Sequence, residues 1–274
     1  MSVKAKSGLH GTRRKTLLIV LLIVVLLVSS CFVYLLIVKD NNRLVHVKNE
    51  AELTKAVNNA KVNVPVVIVL DRDISLSALL TISRGQNITL TSNGNEEFFK
   101  LIGAPFETTI WVNTGGFLWL DGIIVTHPND VNGYGLEIAM GGTCIMFDGE
   151  VSKNTSEGFN GCGGVQNQGT FELYGGIISG NTATTTGGGV QNSGVFRMYG
   201  GVISGNTAYM DGGGVCNIDG TFEMHGGEIS SNSARQSGGG VYSSTFNGAF
   251  NRYGGTISGN TAKSDNDVCI ISWW

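Results

Sequence analysis

The chain has 274 residues, with 18 lysines and arginines against 21 aspartates and glutamates, so its formal net charge is −3. Glycine occurs 41 times, proline only three times, and 14% of the residues are charged. This much glycine argues against a helical bundle, because each glycine inside a helix costs about 1 kcal/mol. The scarcity of proline excludes collagen-like and proline-rich disordered chains. The composition therefore predicts a repetitive, turn-rich protein.

The positive charges are concentrated at the start of the chain. Residues 1–43 contain seven of the 18 lysines and arginines and a single acidic residue. The rest of the chain has 11 basic and 20 acidic residues, a net charge of −9. Because an acidic surface repels a phosphate backbone, we do not expect nucleic acid as a partner.

Residues 17–38 form an uncharged apolar run of 22 residues, LLIVLLIVVLLVSSCFVYLLIV. A helix of this length crosses the hydrocarbon core of a bilayer, which is about 30 Å thick. The basic residues before the run predict a cytoplasmic N-terminus and an extracellular body. The predicted organisation of this single-pass protein is a basic cytoplasmic tail (1–16), a transmembrane signal anchor (17–38), a linker (39–48) and a body (49–274).

Two other interpretations of this segment place the body outside the cell as well. A cleaved signal peptide has an apolar core of about 7–15 residues, which is shorter than this run. The tetrapeptide Val28–Cys31 resembles a relaxed bacterial lipoprotein box, with Cys31 as the lipidated residue. A lipoprotein normally continues into a polar tether, whereas this chain continues with the apolar residues 32–38. The uncleaved anchor is therefore favoured.

The body contains an internal repeat with a period of about 25 to 28 residues, which is clearest over residues 162–264. Four copies begin at Cys162, Gly187, Gly212 and Gly238, and more diverged copies precede them. Equivalent positions form four ladders, namely Phe117, Cys144, Phe171, Phe196, Phe222 and Phe250; Ile124, Val151, Ile178, Ile203, Ile229 and Ile257; Val165, Val190, Val215 and Val241; and Asn154, Asn181, Asn206, Asn232 and Asn260.

Each copy alternates apolar and polar residues over three to five positions, as in Phe171-Glu172-Leu173, and then reaches glycines. This alternation is the pattern of short strands. One such unit cannot bury its apolar side alone, but stacked copies bury it as one continuous core. The sequence therefore predicts an all-β parallel β-helix with about three strands per coil. Neighbouring coils would lie about 4.8 Å apart, with asparagines hydrogen-bonded along the axis.

The consensus GGGVxNxGTFxLYGGxISGNTA resembles the repeat of bacterial and archaeal adhesin-like surface proteins. It is similar as well to the repeat of chlamydial polymorphic outer-membrane proteins. The resemblance covers about residues 110–270 and implies a right-handed parallel β-helix with a pectate-lyase-like fold. For function, it implies adhesion or binding at the cell surface, but the fold hosts many roles.

Both ends of the β-helix need a cover, because open coils expose strand edges. Residues 49–57 predict a short helix, with Asn49 as its N-cap and Glu52 three residues further on. Leu53 and Val57 lie on its apolar face, which we expect over the first coil. Residues 267–274 are apolar and are expected to form a last strand or to dock on the final coil.

The alternative function is that of a polysaccharide lyase or glycoside hydrolase, since the same fold carries both. A hydrolase needs two acids facing one glycosidic bond, but the acids of this chain are scattered. Glu172 and Glu223 share a ladder position, with Arg197 between them. The four histidines form no cluster. We therefore expect neither catalysis nor a cofactor or metal site.

One recurring position is a candidate ligand-binding row. Tyr174, Tyr199, His225 and Tyr253 each precede a double glycine and recur once in each copy of the repeat. A row of aromatic side chains about 4.8 Å apart offers ring surface and polar tips to a linear glycan or an extended peptide. The alternative is that coil stacking covers the ring faces and leaves only their edges in solvent. The expected partner is a glycan or a protein on the surface of a host or neighbouring cell.

Overall fold

The computed structural model describes residues 44–94, 97–128, 131–156, 161–245 and 248–272. They form a parallel β-solenoid of about eight turns with one short helix. The predicted anchor (17–38) and the predicted cytoplasmic tail (1–16) lie outside these residues. Within the part of the chain that is described, no helix is long and apolar enough to cross a membrane.

Strands follow one another with little else between them. In chain order the elements are β1 (Leu44–Val47), α1 (Glu50–Asn58), β2 (Pro65–Leu70), β3 (Ile74–Ser75), β4 (Leu80–Ile82), β5 (Asn87–Ser92), β6 (Lys100–Ile102), β7 (Ile110–Val112), β8 (Phe117–Thr126), β9 (Leu136–Ile138), β10 (Thr143–Ser152), β11 (Thr155–Ser156), β12 (Val165–Asn167), β13 (Thr170–Leu173), β14 (Ile177–Ser179), β15 (Thr182–Ala183), β16 (Val190–Asn192), β17 (Val195–Met198), β18 (Val202–Ser204), β19 (Thr207–Ala208), β20 (Val215–Ile218), β21 (Thr221–Met224), β22 (Glu228–Ser230), β23 (Ser233–Ala234), β24 (Val241–Thr245), β25 (Ala249–Arg252), β26 (Thr256–Ser258) and β27 (Val268–Ser272). Strand β1 falls within the stretch 39–48 that the sequence suggested as a linker, and it pairs with β2.

Three sheets of 15, eight and four strands run along the solenoid. A complete coil of the repeat, such as β12 to β15, contributes four strands rather than the three that the sequence predicted. Two of these, β13 and β14, belong to the largest sheet, because both pair with the long strand β10 of the preceding coil. The last strand, β27, pairs with β24 and so completes the final coil, as expected for residues 267–274.

The helix α1 covers the N-terminal end of the core, as predicted. The side chain of Asn49 accepts a hydrogen bond from the backbone N–H of Glu52 at 2.9 Å, and the Glu52 carboxylate accepts one from the N–H of Lys48 at 2.8 Å. This arrangement resembles a capping box, except that the Glu52 carboxylate accepts from the N–H of Lys48 instead of that of the N-cap residue Asn49. Leu53 and Val57 are buried in the same apolar core as the first strands.

Identical side chains stack inside the solenoid, as predicted for the repeats after residue 162. Phe196 is fully buried, and its ring centroid lies 5.2 Å from that of Phe171 and 4.7 Å from that of Phe222. Ile203 is paired in register with Ile178 on one side and Ile229 on the other. The predicted inward orientation of both ladders is therefore confirmed in these coils.

The earliest members of these two ladders were assigned wrongly. Phe117 and Ile124 were predicted to point inward, but their neighbours Leu118 and Val125 are the fully buried residues of β8. In the pairing of β8 with β10, Cys144 lies opposite Leu118 rather than opposite Phe117 as the ladder predicted. A shift of one residue in the register exchanges the two faces of a strand. The alignment of the diverged copies was off by one residue, so their inward and outward positions were exchanged.

A buried ladder of asparagines runs along one corner, as the sequence predicted. In each step the backbone N–H and the Nδ2 of one asparagine donate to the Oδ1 of the next, at 2.9–3.1 Å. The members are Asn154, Asn181, Asn206, Asn232 and Asn260, which are at most 4% exposed. The ladder ends on His127 on the N-terminal side and on Asp267 on the C-terminal side.

A second asparagine ladder, which the sequence analysis did not identify, runs along the C-terminal ends of strands in the eight-stranded sheet. Asn167 donates to Asn192 at 2.7 Å, Asn192 to Asn217 at 2.6 Å, and Asn217 to the hydroxyl of Ser243 at 3.1 Å. The signal was present in the recurring segments GGGVQN and GGGVCN. The two ladders hold neighbouring coils in register at two corners.

Candidate binding face

The four residues of the predicted row come together on the outside of the largest sheet. Each directly follows a strand of this sheet, and the last residue of that strand is buried in three of the four coils. The ring centroids of Tyr174 and Tyr199 are 4.6 Å apart, those of Tyr199 and His225 4.9 Å, and those of His225 and Tyr253 4.9 Å. The predicted spacing is confirmed, and we call these four residues the aromatic row.

Two further rings extend the stack toward the N-terminus. Phe147 stacks on Tyr174 with a centroid separation of 5.2 Å, and Trp119 stacks on Phe147 at 5.4 Å. Sequence reasoning missed both because they lie in diverged coils without the double glycine. The indole N–H of Trp119 donates to the side chain of Asn87 at 3.2 Å, which fixes the ring at the start of the stack.

The rings of the aromatic row cover one another face to face. Their planes deviate by only 15–23° between neighbours, so the faces of Tyr199 and His225 are occupied on both sides. Tyr199 is accordingly 36% exposed, whereas the terminal Tyr253 is 66% exposed. The row therefore presents ring edges and polar atoms to solvent, as in the alternative considered from the sequence.

A column of paired charges lies beside the aromatic row, on the same outward surface. The guanidinium of Arg197 donates to Glu172 at 3.2 Å and to Glu223 at 3.0 Å. The hydroxyl of Tyr174 donates to Glu172 at 3.3 Å, and His225 lies 3.8 Å from Glu223. We call Glu172, Arg197 and Glu223 the charge column, and the row and the column together the aromatic face.

Two tyrosines of the aromatic face, Tyr174 and Tyr199, remain protonated at neutral pH. Burial raises the pKa of Tyr174 above its usual value of about 10, and the negative charge of Glu172 raises it further. The pKa of Tyr199 is raised for the same two reasons. Ionisation would place a phenolate beside carboxylates, so both hydroxyls keep their proton; that of Tyr174 is donated to Glu172, and that of Tyr199 is available to a ligand.

Two aspartates that appeared unrelated in the sequence are paired by the fold. Asp121 in β8 and Asp148 in β10 are register partners in adjacent coils. Burial, and secondly the charge of Asp148, raise the pKa of Asp121. The prediction that the acids are scattered is therefore wrong at this position. Two carboxyl groups on neighbouring strands, one of them with a raised pKa, can serve in acid–base chemistry.

The remaining candidate groups are used in the fold. Within the described ranges, no three His, Cys, Asp or Glu side chains are placed to share a metal ion. His46 contacts Asp71 at 2.8 Å, and His127 belongs to the asparagine ladder. Cys162 and Cys216 are fully buried, and burial raises the pKa of each thiol to about 12. Such thiols are poor nucleophiles at neutral pH.

A groove of about 520 Å³ lies elsewhere on the solenoid, on the outward side of β6, β8 and β10. Its walls include Lys100, Glu150 and Lys153, and Ser179 donates to Glu150 at 2.9 Å.

Comparison of the chain with family models, with curated proteins and with solved structures finds no match.

Proposed function

We propose that the protein is a membrane-anchored, surface-displayed β-helix that binds a linear polymer through the aromatic face and has an adhesive rather than a catalytic role. The observation that carries the proposal is the unbroken stack of rings across consecutive coils, flanked by a column of paired charges. Such a surface repeats an aromatic ring once in each coil along its length. It can therefore gain affinity by engaging several units of a polymer at once.

The surface location is supported by the sequence of residues 1–43, in which five of the seven basic residues precede the apolar run 17–38 and two follow it. The resemblance to adhesin-like repeats, which implies a right-handed coil, agrees with the general preference of parallel strand connections for that hand. The proposal includes a glycan or a protein on another cell as the partner.

Binding is tested with the full-length chain displayed on a bacterial host that lacks it. We expect the cells to adhere to a surface coated with linear glycans or with matrix proteins, and a triple variant with Tyr174, Tyr199 and Tyr253 changed to Ser to adhere less. Equal adhesion of the parent and of a correctly folded triple variant would show that the aromatic face is not the binding surface.

Display itself is tested with protease added to intact cells. We expect the protease to remove the body while residues 1–16 remain protected inside the cell. Full protection of the body would contradict the extracellular location, and a mature N-terminus at Cys31 would favour the lipoprotein.

The pair Asp121 and Asp148 favours a second candidate function, hydrolysis of a glycosidic bond. Asp121, with its raised pKa, would act as the general acid, and Asp148 as the base or nucleophile. Incubation of the full-length protein with polysaccharides, followed by detection of reducing ends, tests this candidate. Activity that is abolished by Asp121→Asn and by Asp148→Asn, and retained by Asp73→Asn, would establish it.

A further inference from the structure

We propose that the ligand of the aromatic face is a neutral, linear glycan that lies along the solenoid axis and is held by hydrogen bonds to ring edges and paired charges. The inference rests on the binding role proposed above and narrows the proposed partner from a glycan or a protein to a neutral glycan. It assigns the recognition to the hydroxyl of Tyr199 and to the free N–H groups of Arg197, rather than to stacking on ring faces.

Stacking is excluded in the middle of the row because the ring faces are already used. Tyr199 lies between Tyr174 at 4.6 Å and His225 at 4.9 Å, so neither of its faces is open to a sugar ring. Its hydroxyl has no hydrogen-bond partner among the described residues, and the side chain is 36% exposed. The phenol therefore offers solvent one donor and one acceptor, which is the complement of a sugar hydroxyl.

The charges of the aromatic face favour a neutral ligand. Arg197 is shared between Glu172 and Glu223, so the column has one more negative than positive charge and no unpaired cation at its centre. A polyanion would be repelled by the two carboxylates, and a polycation would have to displace the guanidinium from both of them. The remaining N–H groups of Arg197 and the remaining lone pairs of the carboxylates suit groups that both donate and accept, as hydroxyls do.

The spacing of the coils favours a glycan over an extended peptide. Neighbouring rings of the row are 4.6–4.9 Å apart. In an extended peptide, side chains on the same side recur every two residues, or about 6.6 Å, so they lose register with the rings within two or three coils. In an extended β-1,4-linked glycan successive sugar units are flipped relative to one another, so units that face the same way recur about every two coils and can repeat the same contacts there.

The test measures binding to the full-length protein in detergent micelles. The neutral probes are hexasaccharides of β-1,4-glucose, β-1,3-glucose and β-1,4-N-acetylglucosamine, and the competing classes are an oligogalacturonate, a polylysine and an extended neutral peptide. The key variant is Tyr199→Phe, which keeps the ring and its stacking but removes the hydroxyl. The matched control is Tyr209→Phe, because Tyr209 is 52% exposed and packs under Arg235, away from the aromatic face.

We expect at least one neutral hexasaccharide to bind, with affinity about three- to tenfold lower in Tyr199→Phe, as for the loss of one hydrogen bond. We expect Tyr209→Phe to bind like the parent. Equal binding by Tyr199→Phe and the parent would overturn the inference. Binding of only a charged probe or the peptide, weakened by Tyr199→Phe, would overturn the neutral glycan while leaving the binding role of the face intact. No binding of any class would overturn both.

Discussion

His127 and Asp267 occupy the opposite ends of one buried asparagine ladder. The Nδ1 of His127 lies 2.8 Å from the Oδ1 of Asn154, the first member, and the Nδ2 of Asn260, the last member, donates to Asp267 at 3.0 Å. All the side-chain amides point the same way, with oxygens toward the N-terminal end of the solenoid. A potential donor therefore closes the oxygen end and a carboxylate closes the N–H end, as charged residues do at helix termini.

The first prediction concerns the C-terminal end of this ladder. Asp267→Ala leaves the backbone N–H and one of the two Nδ2 N–H groups of Asn260 without an acceptor, while the other still donates to the carbonyl oxygen of Ile229. Because Asn260 is only 4% exposed, we expect the free energy of unfolding to fall by about 1–3 kcal/mol. Asp267→Asn retains an acceptor oxygen and should lose less. Urea denaturation checks the order, and an equal loss in both variants would contradict the capping role.

The second prediction concerns the aromatic core. Phe196→Ala removes the middle ring of a buried stack and should cost about 3–5 kcal/mol. The control is Glu172→Gln, on the outward side of the neighbouring coil, which weakens a partly exposed ion pair and should cost less than about 1 kcal/mol. Thermal and urea unfolding of both variants measure the difference. Similar losses would mean that the assigned inward and outward faces are wrong.

The third prediction concerns a glycine that makes room for His127. A Cβ on Gly133 would lie 2.1 Å from the Nε2 of His127, which also contacts the carbonyl oxygen of Glu107 at 3.0 Å. We therefore expect Gly133→Ala to displace the imidazole and to lower the melting temperature. Loss of the His127 contact with the Oδ1 of Asn154 should appear as changed NMR chemical shifts of the His127 ring.

Gly180→Ala is the matched control for this glycine. Gly180 has a φ of +60°, but a Cβ there would meet nothing within 4 Å. Its substitution therefore tests backbone strain alone, which costs about 1–2 kcal/mol for a residue in the left-handed region. A larger loss of stability for Gly180→Ala than for Gly133→Ala would contradict a steric role for His127.

Sequence reasoning reached the fold because the later copies repeat almost residue for residue. Phe171, Phe196 and Phe222 occupy the same position in successive copies, which predicts a ladder of inward-facing rings. It failed at Phe117, which lies opposite Thr143 rather than Cys144, because alternation alone leaves the register of the diverged copies open. The pair Asp121 and Asp148 was missed for the same reason. The orientation of the tyrosine rings depends on packing between coils, which a repeat pattern does not specify.

The last prediction concerns the pH dependence of stability at the aspartate pair. Burial and the charge of Asp148 raise the pKa of Asp121 in the folded protein. The folded state then binds this proton more tightly than the unfolded state, so stability increases as pH falls through the folded pKa and decreases above it. Asp121→Asn removes the unfavourable charge. We expect the variant to melt at a higher temperature than the parent at pH 7, and the difference to shrink as the pH approaches about 4.

Asp71→Asn should lower the stability of the protein at pH 7, in contrast to Asp121→Asn, which should raise it. The pKa of Asp71 is lowered, mainly by its hydrogen bond with His46, so its carboxylate stabilises the folded state above the unfolded pKa. This contribution is lost as the pH falls through the folded pKa. The variant should therefore melt below the parent at pH 7 and approach it in acid. Melting curves of both variants between pH 3 and 8 give the two signs, and a shift of the same sign at pH 7 would contradict the assignment of Asp121 as the destabilised carboxylate.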